Sequence, residues 1–184
     1  MTIAGFFNIG LILALVLLAA FPLGAFMADV FENRRTFLTP LVGPIERLFY
    51  RAAGVDTEVE QKWHEFAISM VIFGGGCFFL LYALLRLQAY LPLNPQGFPG
   101  VLPDLSFNIA ISFITNANWQ AYAGETTLSH FSQMAGLTAN NFMDSAAATA
   151  IALALTRAIG RNESPTIGNF WVDMTRATLY VLLP

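Results

Sequence analysis

Charge is scarce in this chain: 11% of its 184 residues are Asp, Glu, Lys or Arg, against about 25% in an ordinary soluble domain. With 56% hydrophobic residues and a mean hydropathy of +0.59, it reads as a membrane protein. The net charge of −3 adds little. A single cysteine, Cys77, excludes an internal disulfide, and its apolar neighbourhood suits a small buried hydrophobe. The two histidines, His64 and His130, are too far apart for a metal-ligand spacing. No Gly-rich phosphate loop, nucleophile elbow or zinc motif is present. Nor is there a basic stripe suited to nucleic acid.

What is abundant is apolar sequence in membrane-length runs. Residues 3–27 carry no charge, with Asn8 the only strongly polar side chain, and are long enough to span a bilayer with some tilt. A cleaved signal peptide would need Lys or Arg ahead of its apolar core. MTIAGFFN has none, which favours a retained span. Residues 66–85 form a second, uncharged run, with Arg86 near its end, and residues 130–156 are a third long apolar stretch, interrupted by Asp144. A fourth begins near Pro165 and is still apolar at Pro184, which reads as part of something longer.

Five of the nine Lys and Arg residues (Arg34, Arg35, Arg47, Arg51 and Lys62) fall in residues 29–65. Residues 44–51 there are patterned as a short amphipathic surface helix. Residues 87–127 contain no Lys or Arg, and Arg157 and Arg161 follow the third run. The positive-inside rule then places residues 29–65 and 157–163 in the cytoplasm. The N-terminus and the segment between spans two and three lie outside. Arg86 is the misfit, either snorkelling to the interface or paired inside the protein.

Between spans two and three lies PDLSFNIAISFITNANWQ, residues 103–120. Pro103 and Asp104 fit a helix start. About ten mostly apolar residues follow, roughly 15 Å of helix, half of a hydrocarbon core. The run stops at Thr115, Asn116, Ala117 and Asn118. A helix ending in polar backbone at mid-membrane needs protein or water around it, and this order of elements is that of a pore-loop ion pathway. Carbonyls that all face one axis require alternating right- and left-handed backbone, and asparagine tolerates the left-handed region best after glycine. Asn116 and Asn118 fit that use, or an ordinary polar turn. Trp119 and Gln120 are an interfacial aromatic and an exposed amide, or a cuff holding a filter at fixed width.

Glu125 either raises cation concentration at the outer mouth or caps span three. Asp144, near Asn140 and Asn141, lies about 24 Å along span three. It lines a cavity or sits near the cytoplasmic side. Asp173 and Arg176, three apart, read as a pair on one helix face. Gly74, Gly75 and Gly76 allow close backbone approach, and Ala146, Ala150, Ala154 and Ala158 form a small-residue ridge.

The run ITNANWQAYAGETTLSHFSQMAGLTANNF resembles the first pore region of the KdpA family, the potassium-binding, channel-like subunits of bacterial potassium-importing P-type ATPases. YLPLNPQGFPG, GPIERLFYRAAGV and GNFWVDMTRATLYVLLP are similar to the same family at matching places, and the resemblance covers the N-terminal third of a family member. It implies an all-α polytopic fold, with a leading transmembrane helix ahead of span–pore-helix–span units in a potassium-channel-like pseudo-fourfold pore. Residues 1–29 would be the leading helix, 30–64 a cytoplasmic loop, 65–162 the first unit (pore helix 103–114, filter 115–118), and 163–184 the start of the second.

The resemblance also implies K+ coordination by the backbone carbonyls of Thr115, Asn116, Ala117 and Asn118, supported by Trp119 and Gln120. The family pattern is Thr-Asn-Thr-Asn-Trp-Gln, so Ala117 departs from it. Carbonyl ligation tolerates that change; a ligating hydroxyl would not. ATP hydrolysis would belong to a separate catalytic subunit, KdpB, with KdpC and KdpF as accessory subunits, in the bacterial inner membrane. The resemblance thus implies that the chain is not an enzyme by itself, and consistently no nucleotide site or DKTG motif is present. A passive Trk/Ktr-type potassium transporter and a non-transporting membrane scaffold are the alternatives.

Overall fold

A computed structural model describes residues 3–161 and 165–184, except for the side chain of Ile3. The expected boundary between residues 162 and 163 lies outside the described residues. Helices α1 (Ile3–Phe31), α2 (Thr39–Ala53), α3 (Trp63–Leu87), α4 (Pro103–Ile114), α5 (Gly124–Thr127), α6 (Ala139–Gly160) and α7 (Phe170–Arg176) follow in order. A π-helical stretch, Ser132–Thr138, leads into α6, and another, Ala177–Leu182, prolongs α7. Among the described residues the only β pairing is one isolated bridge between Lys62 and Thr166. Three helical segments (Ala4–Phe31, Trp63–Tyr90 and Ser132–Gly160) are long and apolar enough to cross a membrane.

Three apolar clusters hold the helices together. At one end of α3, Leu81 and Leu85 pack with Val101, with Ile109, Ala110 and Phe113 of α4, and with Leu128. At the other end Phe66 packs with Ala150 and Ala154 of α6 and Phe170 of α7, its ring edge-on to Phe170 at 5.4 Å. The third cluster joins Val30 and Phe31 of α1, Val42 of α2, Ala146, Ala177 and Tyr180. Most of α1 packs on nothing among the described residues: none of its most apolar stretch is buried. The alanine ridge serves as read through Ala146, Ala150 and Ala154, but Ala158 is exposed.

Two packing expectations are corrected. At Gly74, Gly75 and Gly76 no atom of the described residues lies within 4 Å of where a Cβ would stand, so no backbone among them approaches there. The close approach is at Gly136, where a Cβ would meet Leu81 Cδ1 at 3.1 Å and Leu84 Cδ2 at 3.3 Å. Asp173 and Arg176 do not pair with each other. Asp173 receives both guanidinium nitrogens of Arg157 at 2.5 and 2.9 Å. Arg176 donates to Glu46 at 2.9 Å and Asn33 at 2.7 Å. Fork geometry toward a facing carboxylate wins over proximity along one helix.

Candidate functional site: the half-helix and the turn after it

Helix α4 starts because Pro103 in its first turn needs no N–H partner and Asp104 complements the dipole. The incoming loop is seated first. Val101 N donates to the Leu85 carbonyl at 3.1 Å, and Arg86 donates to the Val101 carbonyl, which resolves the Arg86 misfit as an internal pairing. A Cβ on Gly100 would collide with the Arg86 carbonyl oxygen, so glycine is required there.

Helix α4 then runs back along α3, with the Phe107 ring 5.5 Å from that of Phe78. Ile114 lies seven residues past Phe107, roughly 10 Å further, which stops α4 well short of the start of α3 at Trp63.

What stops α4 is local. Thr115 Oγ1 donates to the Ile111 carbonyl at 2.8 Å. The four following N–H groups all fold back onto the helix end: Thr115 N to Ile111 O, Asn116 N to Phe113 O, and both Ala117 N and Asn118 N to Ser112 O, at 2.9–3.2 Å. Asn116 and Asn118 take φ of 53° and 51°, the alternation that their spacing suggested. Donors point back and acceptors do not: among the described residues no hydrogen bond reaches the carbonyls of Thr115, Asn116, Ala117 or Asn118. Such a row of free carbonyls beside the negative end of a helix dipole can ligate a cation.

Trp119 is tied to α4 twice, its carbonyl accepting from Ser112 Oγ at 3.0 Å and its indole N–H donating to Asn108 Oδ1 at 3.3 Å. Thr115, Asn116, Ala117, Asn118, Trp119 and Gln120 are all exposed on this chain. Glu125 sits in the separate single turn α5 and is exposed. Ser129, not Glu125, caps the third span, its Oγ accepting from Ser132 N at 3.1 Å.

One residue of this site gave no signal in the sequence. Gln88, at the end of α3, is fully buried. It donates to the Pro99 carbonyl at 2.6 Å and the Thr127 carbonyl at 2.9 Å. It accepts from Ser129 N at 3.2 Å and Ser132 Oγ at 3.1 Å. One amide therefore joins the chain entering the half-helix to the chain leaving the turn. A glutamine at the end of an apolar run looks like an interfacial residue, and only the fold shows its partners.

These features define an all-helical polytopic membrane protein with a half-length helix packed between full spans. A sequence comparison identifies which one: the chain belongs to the family described as the potassium-transporting ATPase A subunit, KdpA, whose model matches residues 10–184. It is 59% identical over 180 residues (98% of this chain) to the potassium-transporting ATPase potassium-binding subunit of Allorhizobium ampelinum. Its identity to the proteins of that name from Granulibacter bethesdensis and Koribacter versatilis is 55%, over 100% of this chain. The chain spans 32%, 32% and 31% of the lengths of those three relatives.

Proposed function

We propose that this chain supplies one quarter of a potassium filter in an ATP-driven importer. The carrying observation is the turn after α4, where four consecutive N–H groups are consumed by the helix end and four carbonyls are left free. Potassium arriving from outside sheds water against the carbonyls of Thr115, Asn116, Ala117 and Asn118, while Trp119 and Gln120 hold the turn's width. A quarter of a ring presents its carbonyls to space that three further units occupy. Exposure of these residues on this chain is therefore what the pseudo-fourfold reading requires. Ala117 is compatible because ligation is by backbone.

Residues 1–29 act as the leading helix, 30–64 as the cytoplasmic loop, 65–162 as the first span–pore–span unit and 163–184 as the start of the second. The N-terminus is outside the bacterial inner membrane. The ion passes from the filter to a P-type ATPase subunit, KdpB, with KdpC and KdpF as accessory partners. The names of the relatives, potassium-binding subunits of a potassium-transporting ATPase, support K+ as cargo and an ATPase as partner.

The test is ATP hydrolysis by the purified full-length protein with its co-purifying subunits. Micromolar K+ is expected to stimulate hydrolysis, and Na+ is not. Copurification with no ATPase, together with K+ flux that needs no ATP, would replace this reading with a passive Trk/Ktr-type transporter. Absence of any K+ flux would leave a membrane scaffold.

A further inference from the structure

The first turns of α6 have a shortage of hydrogen-bond donors that the filter does not explain. Asn140 is 4% exposed and Asp144 7% exposed; one helical turn apart, they share a face. Asn140 Nδ2 donates to the Gly136 carbonyl at 2.9 Å. Asn140 Oδ1 and Asp144 Oδ2 are buried, and neither has a partner among the described residues. The contrast is Asp173, equally buried, whose two oxygens are held by Arg157.

Among the described residues, no side chain in the surrounding elements supplies positive charge to Asp144. From α3, the uncharged Cys77 is buried, His64 and Glu65 lie at the far start of that helix, and Arg86 at its end is bound to the Val101 carbonyl. Helix α4 carries no charged side chain after Asp104 in its first turn. From α7, Asp173 is engaged by Arg157 and Arg176 by Glu46. A carboxylate buried at this depth without a counter-charge is unfavourable, and buried acids in membranes pair or serve ion and proton pathways. Two buried acceptors one helical turn apart, with no donor to either among the described residues, call for a positive charge from outside the chain.

We propose that Asn140 and Asp144 form an intramembrane site for one monovalent cation, distinct from the filter. It is filled either by a proton on Asp144 shared with Asn140 Oδ1 or by an alkali ion held between the two oxygens. No covalent chemistry is involved beyond the carboxyl O–H bond made in the proton case. The inference does not depend on the filter reading, since Asp144 is on α6 and the free carbonyls follow α4.

Infrared difference spectra of the purified full-length protein in lipid nanodiscs, wild type against Asp144→Asn, read the carboxyl directly. A protonated-acid band missing from the variant and indifferent to K+ supports the proton. A carboxylate band that shifts when choline is exchanged for K+ supports the alkali ion. A wild-type carboxylate band that ignores both K+ and pH overturns the site.

Thermal unfolding gives a second readout. The wild-type midpoint is expected to rise by a few degrees per tenfold increase in protons or K+. Asp144→Asn and Asn140→Leu are expected to lose that increment, keeping whatever stabilisation the filter provides. Identical dependence in wild type and both variants overturns the proposal.

Discussion

At the scale of single residues, the proposed filter turn rests on two backbone angles. Asn116 and Asn118 stand at φ 53° and 51°, where an ordinary L-residue is disfavoured by about 1–2 kcal/mol and a β-branched one is an outlier. Valine at either position is expected to push the turn out of this conformation and re-aim the neighbouring carbonyls. The apparent K+ affinity of transport by the full-length protein should then fall about tenfold or more. Glycine at the same positions should stay near wild type, because it adopts positive φ freely. A glycine variant as impaired as the valine one would mean that the amide side chains, not the backbone, do the work. This part of the site was legible in the sequence because a tolerance for positive φ belongs to the residue itself. Gln88 was not legible, because its four partners lie 11 to 44 positions away along the chain.

At the scale of elements, apolar run length foretold α1, α3, α4 and the third span, and the polar pattern foretold α2. How α2 is fastened was hidden. Its Glu46 accepts from Tyr50 Oη at 2.9 Å, Arg176 Nε at 2.9 Å and Tyr180 Oη at 2.8 Å, so one carboxylate ties α2 to α7 and its extension. Asp173 and Arg176, judged by their spacing, looked like partners of each other. The true partners lie 16 and 130 positions away, beyond the reach of helical periodicity.

Burial pushes the Glu46 carboxyl upward, but the bonds from Arg176, Tyr180 and Tyr50 and the Arg176 charge outweigh it and hold the group below its ordinary value of 4.5. A carboxylate depressed in the fold adds stability that is complete above the unfolded value. That stability is lost as pH falls through the folded value. Melting of the wild type by circular dichroism should therefore drop on acidification below about 4.5. Glu46→Gln should melt lower at neutral pH, since it strands a buried guanidinium at a cost of about 3–5 kcal/mol, and its acid decline should be shallower. An unchanged acid limb would place the dependence on other carboxylates.

At the scale of the whole molecule, the charge asymmetry and the packing agree on which ends of the helices lie together. Arg161 holds Glu60 at 2.9 and 3.0 Å, Asn169 donates to the Val59 carbonyl at 2.9 Å, and Gln61 N donates to the Gly168 carbonyl at 2.7 Å. The loop after α2, which carries Asp56, Glu58, Glu60 and Lys62, is thereby joined to the segment leading into α7. At the opposite end Gln88 gathers Pro99, Thr127 and Ser129, and residues 87–127 there contain no Lys or Arg, the nearby Arg86 being bound to the Val101 carbonyl. If the positive-inside rule governs insertion, a membrane-impermeant maleimide should label Gln96→Cys in intact cells. Glu58→Cys should react only after permeabilisation. Both positions are exposed, and the native Cys77 is buried and stays silent. Labelling of both from one side would break the threading of α3. The reverse pattern would admit α4 from the cytoplasm, so that potassium met the free carbonyls only after crossing, an arrangement that cannot select ions for import.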